Sequence, residues 1–362
     1  METIINVNYE GKPCYNIYLE EDYRGIKTVC ESLDIKGRKV CIVSDSNVSA
    51  LYLEEVKKNF ESEVKSVTTY VFPAGEESKN LETVNSLYEQ LILDKFDRKD
   101  ILVALGGGVV GDLTGFTAAT YLRGIRFIQL PTSLLSMVDS SIGGKTGVDY
   151  KAYKNMIGAF HQPSAVYMNL SVLCTLGEKQ YFSGMGEIIK HGLIRDKNYY
   201  DWLKKNAKDI CNRQMSALKP MISTSLNIKR VVVENDPKEA GERALLNFGH
   251  TLGHAIEKLM NFSMLHGDCV ALGCIAASYI SSQRGYITKE QFIDVVKTFE
   301  LFHMPTTVMK LPIDTVIETT KSDKKMDSNQ IKFILLEQIG SAYIDLKVTN
   351  EEMQQALMEI MN

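Results

Sequence analysis

Two of the chain's six histidines, His250 and His254, stand four residues apart in "NFGHTLGHAIEK", Asn247 to Lys258. On a helix that spacing leaves only about 40° between the side chains, so both imidazoles face one way. Such a pair can clamp a metal ion, but two ligands do not complete a site. His266 in "LHGDCVALG" and Glu187 in "GMGEIIKHG" are the further donors. One carboxylate with two imidazoles leaves positions open for substrate, the arrangement of a catalytic rather than a structural zinc centre. His191, four residues after Glu187, competes for the same role. Taken singly, each histidine is better explained by a hydrogen bond within a core. The case rests on several such residues near glycines in a chain with few histidines. Cations gather in the same region: Lys190 three residues after Glu187, Lys229 on a helical stretch, and Arg243 four before Asn247. Long basic side chains are usually solvated. Together these suit a small substrate carrying phosphate and carboxylate, because a guanidinium forks two oxygens and an ammonium supplies a point charge.

A second chemistry is written in glycine. "GGGVVG", Gly106 to Gly111, follows an apolar strand and opens a helix, with Gly106, Gly108 and Gly111 on the dinucleotide template and Gly107 between them. Glycine there lets backbone approach a pyrophosphate, which a helix N-terminus favours electrostatically. The ribose-binding acid expected about 20 residues on is missing, since that window holds only Arg123 and Arg126 as charges. Asp45, ending a predicted strand, and Glu76 in "PAGEESK" are the substitute acids. The plainer alternative is a glycine turn that serves helix and sheet packing alone. A second loop, "DSSIGGKTG", nearly fits a phosphate loop, but Asp139 occupies the first glycine position and no clear strand feeds into it. Lys145 beside two glycines can still hold an anion, and Lys154 with Asn155 adds a cation and an amide.

These residues need elements to position them. "KVCIVSD" (Lys39 to Asp45), "SVTTYVFP" (Ser66 to Pro73), "DILVALGGG" and "RFIQLP" read as strands, each of the first three followed by a helical pattern. That alternation predicts a mostly parallel sheet with helices on both faces. Beyond about residue 170 the texture becomes helical in "KQYFSGMGEIIKHGLI", "MISTSLNIKRVVVE", "HTLGHAIEKLM" and "CVALGCIAASYISSQ", interrupted only by "IKFILL". A boundary between residues 165 and 175 is expected, giving an α/β domain over 1–170 and a mainly α-helical domain over 171–362, with a cleft shared between them.

The 362 residues are enough for two domains, each with its own core. A net charge of −4 with basic residues scattered and matched by acids argues against nucleic acid as partner. The start lacks a basic flank followed by a sustained apolar run, and no segment approaches the roughly 18 apolar residues of a membrane span. Seven cysteines with no CxxC pair suit free thiols in a reducing compartment, so a cytoplasmic protein is expected; Cys269 and Cys274 read as core packing.

The motifs "GGGVVGD", "RGIRFIQLPTSLLSMVDSSIGGKTGVD", "KNMIGAFHQP", "GMGEIIKHG", "ERALLNFGHTLGHAIE" and "LHGDCVALG" occur in order along the chain. Their set resembles the 3-dehydroquinate synthase family of sugar phosphate cyclases over essentially the whole length. The resemblance implies a Rossmann-like first domain binding NAD and a zinc centre, with cobalt as a substitute, formed by Glu187, His250 and His266. His254 would instead bind substrate and assist proton transfer near the phosphate. It further implies that Asp139, Lys145, Asn155, Lys190, Lys229, Arg243, Asn247 and a lysine of "SDKK", Lys324 ahead of Lys325, contact substrate. Lys229 and Arg243 would face a carboxylate; Lys145, Asn155, Asn247 and His254 a phosphate. Arg123 would reach the phosphate site of a neighbouring subunit, implying a homodimer. NAD contacts would come from Asp45, Glu76, Lys79, Gly108, Asp112, Thr132, Ser133 and Thr175. The activity implied is conversion of 3-deoxy-D-arabino-heptulosonate 7-phosphate to 3-dehydroquinate and phosphate, through transient oxidation, phosphate elimination, reduction, ring opening and aldol closure. The competing readings are a 2-deoxy-scyllo-inosose synthase-like cyclase and a metal-dependent polyol dehydrogenase.

Overall fold

The computed structural model describes residues 4–151, 153–239, 241–261, 263–322 and 331–361. The chain forms two compact units, Met1–Leu176 and Gly177–Asn362.

The first unit carries strands β1 (Ile4–Tyr9), β2 (Lys12–Glu20), β3 (Lys39–Asp45), β4 (Ser66–Phe72), β5 (Ile101–Gly106), β6 (Arg126–Pro131), β7 (Lys145–Tyr150), β8 (Tyr153–Phe160) and β9 (Ala165–Asn169). Its helices are α1 (Ile26–Ser32), α2 (Ser46–Glu61), α3 (Leu81–Leu93) and α4 (Gly108–Thr120). A seven-stranded sheet runs β1-β2-β9-β6-β5-β3-β4, parallel except for the antiparallel β1–β2 edge. The central strands are buried along nearly their whole length, which is why they read as unbroken apolar runs rather than alternating ones. At the β1–β2 turn Glu10 and Gly11 both take positive φ, 50° and 75°, the backbone that a tight hairpin of right-twisted strands requires. From β3 the chain winds outward to β4, then returns past β3 to β5, β6 and β9. Strand order therefore reverses between β3 and β5, the switch point at which open α/β sheets bind ligands beyond their strand C-termini.

The second unit holds α5 (Glu178–Arg195), α6 (Lys197–Lys205), α7 (Ala207–Cys211), α8 (Met215–Asn235), α9 (His250–Leu259), α10 (His266–Gln283), α11 (Lys289–Leu301), α12 (Ile313–Ser322) and α13 (Asn350–Ile360). The helical texture beyond residue 170 is thus realised, after a parallel-sheet α/β unit. The late strand does not stand alone: β10 (Phe333–Gln338) pairs antiparallel with β11 (Ser341–Asp345) through a turn in which Gly340 has φ 91°. "SAYID" is too short and mixed to announce itself, and pairing with β10 completes it. No helix among the described residues is long and apolar enough to cross a membrane.

Candidate active site

Three helices of the second unit meet at glycines. A Cβ on Gly267 would lie 1.7 Å from the Ser183 carbonyl oxygen, and one on Gly273 would lie 1.8 Å from that of Gly249. Gly186 and Gly253 are similarly closed off by the backbone of Gly267 and Cys269, at 2.5 and 2.7 Å. Only hydrogen fits at these positions, so α10 lies backbone against backbone on α5 and α9. Each prominent polar residue adjoins one of these contacts: Glu187 follows Gly186, His250 follows Gly249, His254 follows Gly253 and His266 precedes Gly267. Gly249 has a second reason to be glycine, since its φ of 80° starts α9 from a left-handed residue.

The approach gathers Glu187, Lys190 and three histidines. Glu187 is fully buried, and its Oε1 lies 3.5 Å from Nε2 of both His250 and His266. Its Oε2 is ion-paired with the Lys190 ammonium, which also donates to the Leu246 carbonyl at 2.6 Å. Neither carboxylate oxygen accepts a well-aligned hydrogen bond. Both imidazoles turn their other nitrogen away: Nδ1 of His250 lies 3.1 Å from the Phe248 carbonyl, and Nδ1 of His266 3.4 Å from Glu257 Oε2. Two rings anchored at Nδ1 with Nε2 aimed at one carboxylate oxygen form the arrangement of histidine metal ligands. His254 is close by, its ring centroid 4.9 Å from that of His250 and 5.7 Å from that of His266. One donor atom from each of the three histidines falls within 4.8 Å of the others, so an all-histidine clamp also fits by distance. The Glu187 set is favoured because a buried carboxylate without aligned donors is stable only beside cations.

Electrostatics divides the two flanking rings. Burial pushes the Glu187 carboxyl up, but Lys190 and the imidazoles outweigh it and hold the group well below its usual range. Burial, followed by the Lys190 ammonium, keeps His250 well below its ordinary value and therefore neutral, with a lone pair available. For His266 burial acts downward, yet Glu187 and Glu257 raise it to about 10. A metal cation in place of the proton on His266 would preserve this charge balance. His191 is elsewhere: its Nδ1 bonds the Ser225 hydroxyl at 2.8 Å in the core.

The remaining second-unit candidates are held by local partners. Lys229 and Arg243 are buried. Arg243 donates to the Pro237 carbonyl at 2.7 Å, and Asn247 donates to Glu239 Oε1 at 2.9 Å. Glu239, at φ 59°, is a carboxylate that spacing did not single out. Lys324 and Lys325 lie outside the described residues.

In the first unit, Asp45 and Gly106 end β3 and β5, the two strands flanking the reversal of strand order. Asp45 caps α2 by accepting from the amides of Asn47 and Val48. Gly106 is required by packing, because a Cβ would strike Val110 at 2.4 Å. Gly107 and Gly108 are different: a Cβ there would meet only Ser133 Oγ at 3.6 Å and Ser140 Oγ at 3.4 Å. Gly111 sits 3.3 Å from Gln129 by the same measure, letting α4 close on β6. The Thr132 amide bonds the Gly106 carbonyl at 2.9 Å, and Ser133 bonds Ser136, fixing the loop beside the glycines. Lys79 is buried, reaching Asp112 Oδ2 at 2.7 Å, Asn155 Oδ1 at 2.6 Å and Glu76 Oε1 at 3.9 Å, and Lys154 joins at 3.8 Å from Glu76. Burial acts downward on Lys79, but Asp112 and Glu76 raise it overall; burial raises Asp112 against the pull of Lys79. Thr175 is bonded to Tyr52 and to the Val172 carbonyl. Asp139 lies in the helical turn Ser136–Ser140, and Lys145 is exposed at the start of β7, a strand that the glycines of "GGKTG" concealed in the sequence. Arg123 is exposed on a turn where Leu122, Arg123 and Gly124 have φ of 49°, 69° and 115°.

The chain belongs to the 3-dehydroquinate synthase family, whose N-terminal and C-terminal domain models match residues 69–183 and 184–326. A 3-dehydroquinate synthase of Acetivibrio thermocellus is 41% identical over 349 residues, 96% of each chain. Among solved structures, a 2-epi-5-epi-valiolone synthase from Streptomyces hygroscopicus with NAD⁺ and Zn²⁺ bound superposes with TM-score 0.89 at 25% identity, over 96% of both chains. A 2-deoxy-scyllo-inosose synthase complexed with carbaglucose-6-phosphate, NAD⁺ and Co²⁺ gives 0.87 at 23% identity, over 98% of this chain and 99% of that one.

Proposed function

We propose that the chain converts 3-deoxy-D-arabino-heptulosonate 7-phosphate to 3-dehydroquinate and phosphate, as an NAD- and zinc-dependent phosphate lyase of aromatic amino acid biosynthesis. Family membership over residues 69–326 and near-complete coverage of a synthase relative support the activity. The observation that carries the site is the pair of Nε2 atoms, each 3.5 Å from one buried oxygen of Glu187. Glu187, His250 and His266 would hold Zn²⁺ or Co²⁺, the ions bound by the structural neighbours. NAD would be held by the glycines Gly106, Gly107, Gly108 and Gly111 with Asp45, Glu76, Lys79, Asp112, Thr132, Ser133, Lys145, Lys154 and Thr175. A bound metal supplies Lewis acidity toward a ring hydroxyl, and bound NAD supplies reversible hydride acceptance.

The chain's own residues do the rest. His254, on the α9 face it shares with His250, exchanges a proton near the substrate phosphate. Lys190 spends one N–H on Leu246 and neutralises Glu187, leaving donor capacity for a substrate oxygen. Lys229 and Arg243 match a carboxylate, and Asn247 a phosphate. Asp139, Lys145, Asn155 and Lys324 keep the substrate roles that the resemblance gives them. Three successive left-handed residues hold Arg123 outward at a cost of about 1–3 kcal/mol for each non-glycine one, strain that persists where the exposed guanidinium has a use. A second copy of the chain, receiving Arg123 near its phosphate, is that use in a homodimer. The free cysteines suit a cytoplasmic enzyme.

The test incubates purified protein with zinc, catalytic NAD⁺ and the heptulosonate phosphate, following phosphate, dehydroquinate and nicotinamide absorbance together. Many equivalents of both products without accumulating NADH are expected. Phosphate from glucose 6-phosphate alone would indicate an inosose-forming cyclase. Stoichiometric NADH from simple polyols would indicate a dehydrogenase.

A further inference from the structure

Glu257 is neither a proposed metal ligand nor a proposed substrate contact, although it lies on the stripe of α9 that bears the two histidines. His250, His254 and Glu257 stand at helix positions i, i+4 and i+7, within roughly 60° of one another. The Glu257 side chain is only 8% exposed. Its Oε2 lies 3.4 Å from Nδ1 of His266, while Nε2 of the same ring lies 3.5 Å from Glu187 Oε1. His266 is therefore bracketed by a carboxylate at each nitrogen. His250 has no such second carboxylate among its described partners, since its Nδ1 meets the Phe248 carbonyl instead. A carbonyl holds an imidazole tautomer with a dipole, whereas a carboxylate holds it with a full charge and makes the opposite nitrogen a better donor.

We infer that Glu257 is the positioning carboxylate of the metal centre: it fixes the Nδ1–H tautomer and ring plane of His266 and makes His266 the stronger of the two imidazole ligands. The inference rests on Glu187, His250 and His266 being the metal ligands. Glu257 acts through His266 and needs no contact with substrate. Its place also explains why a carboxylate stays in the apolar interior of α9, beside Ile256 and one turn from Gly253.

The test measures zinc affinity by chelator competition, and the cobalt(II) d–d absorption, on the purified full chain and on Glu257→Gln, Glu257→Asp and His250→Ala. Glu257→Gln keeps the volume and loses the charge; it should weaken zinc binding about 10- to 100-fold and shift the cobalt bands, with the metal-free protein melting as wild type does. Glu257→Asp retains the charge at shorter reach and should lose less. Zinc affinity within about twofold of wild type and an unchanged cobalt spectrum in Glu257→Gln would overturn the inference, as would equal losses in both variants tracking equal drops in metal-free melting temperature. Should the Gln variant not fold, the Asp variant decides: weaker zinc binding with wild-type melting supports the inference, and wild-type binding overturns it. His250→Ala separates the two levels. Zinc retained there defeats the ligand assignment itself, whereas zinc lost there but held normally by Glu257→Gln defeats only the role of Glu257.

Discussion

The two units use glycine for opposite ends. At Gly107 and Gly108 in the first unit a Cβ would meet nothing nearer than 3.4 Å, so the missing side chain leaves room beside the N-terminus of α4. At Gly267 and Gly273 in the second unit it would enter a carbonyl oxygen at 1.7 and 1.8 Å, so the missing side chain is already filled by another helix. The first is open space of the kind the proposed NAD site needs; the second is a contact that brings Glu187 and the histidines together. The buried ion pairs differ in the same sense. Lys79 is shared among Asp112, Asn155 and Glu76, whereas Glu187 faces one ammonium and two imidazoles without an aligned hydrogen bond. In the first cluster one ammonium is shared among several acceptors; in the second the carboxylate lacks an aligned donor, the feature on which the proposed metal site rests.

Breaking the filled contacts should have the largest effect. Gly267→Ala forces the Ser183 carbonyl aside in a backbone that cannot repack like a side chain, so a loss of about 3 kcal/mol or more is expected. Chemical denaturation of the metal-free protein should show either that loss or no folded protein. Stability within about 1 kcal/mol of wild type would mean that the helices do not rest on this contact.

Next in size is the division among the histidines. His250→Ala should bind no stoichiometric zinc and lose activity, while His254→Ala should retain zinc and lose about 100-fold or more in turnover. Elemental analysis of folded protein checks the first, and steady-state assay the second. Equal zinc loss in both would favour the three-histidine clamp, whose donor atoms also fit within 4.8 Å.

The complementary substitution in the first unit should scarcely disturb the fold. Gly108 opens α4 without a positive φ, and Ser140 at 3.4 Å is an ordinary neighbour, so Gly108→Ala should leave stability unchanged or raise it by up to about 1 kcal/mol. NAD⁺ affinity, measured by calorimetric titration, should nevertheless fall about tenfold or more, because the methyl occupies the proposed path of the pyrophosphate. A loss of stability with unchanged affinity would reduce Gly108 to a packing glycine.

The contrast also explains what the sequence could reveal. Strands β3 and β6 stand where "KVCIVSD" and "RFIQLP" place them, because burial on both faces leaves a continuous apolar signature. β2 and β9 were not legible, since each is completed by the other across most of the unit, and β7 begins among the glycines of "GGKTG". In the second unit, the alternation of glycine with Glu187, His250, His254 and His266 was visible, and so was the shared face of α9. Glu257 was not, because its meaning depends on which residue α10 brings opposite Nδ1. Asp45 shows the converse: its position at a strand end was readable, but its bonds to the amides of α2 emerge only from the folded turn.

An ion pair away from both clusters sets the lower bound of the comparison. Arg284, the C-cap residue of α10, forms a two-pronged pair with Glu352 on α13, at 2.6 and 2.8 Å, and reaches Asp345 at 2.8 Å. The Glu352 side chain also closes the capping box with Thr349, and the Arg284 hydrogen bond leads in holding its pKa below the ordinary value. A depressed carboxyl contributes stability above its unfolded pKa of about 4.3 and loses that contribution as pH falls through the lower folded value. Glu352→Gln can keep the capping geometry while removing the charge, so it should cost about 1 kcal/mol at neutral pH, discounted for partial exposure. In urea titrations the gap from wild type should close as pH falls from the unfolded value of about 4.3 through the lower folded one, where Glu352 in the wild type takes up its proton. A gap that persists undiminished in acid would mean that the substitution damages the cap rather than the pair, and that Arg284 contributes by packing against α13 rather than by its charge.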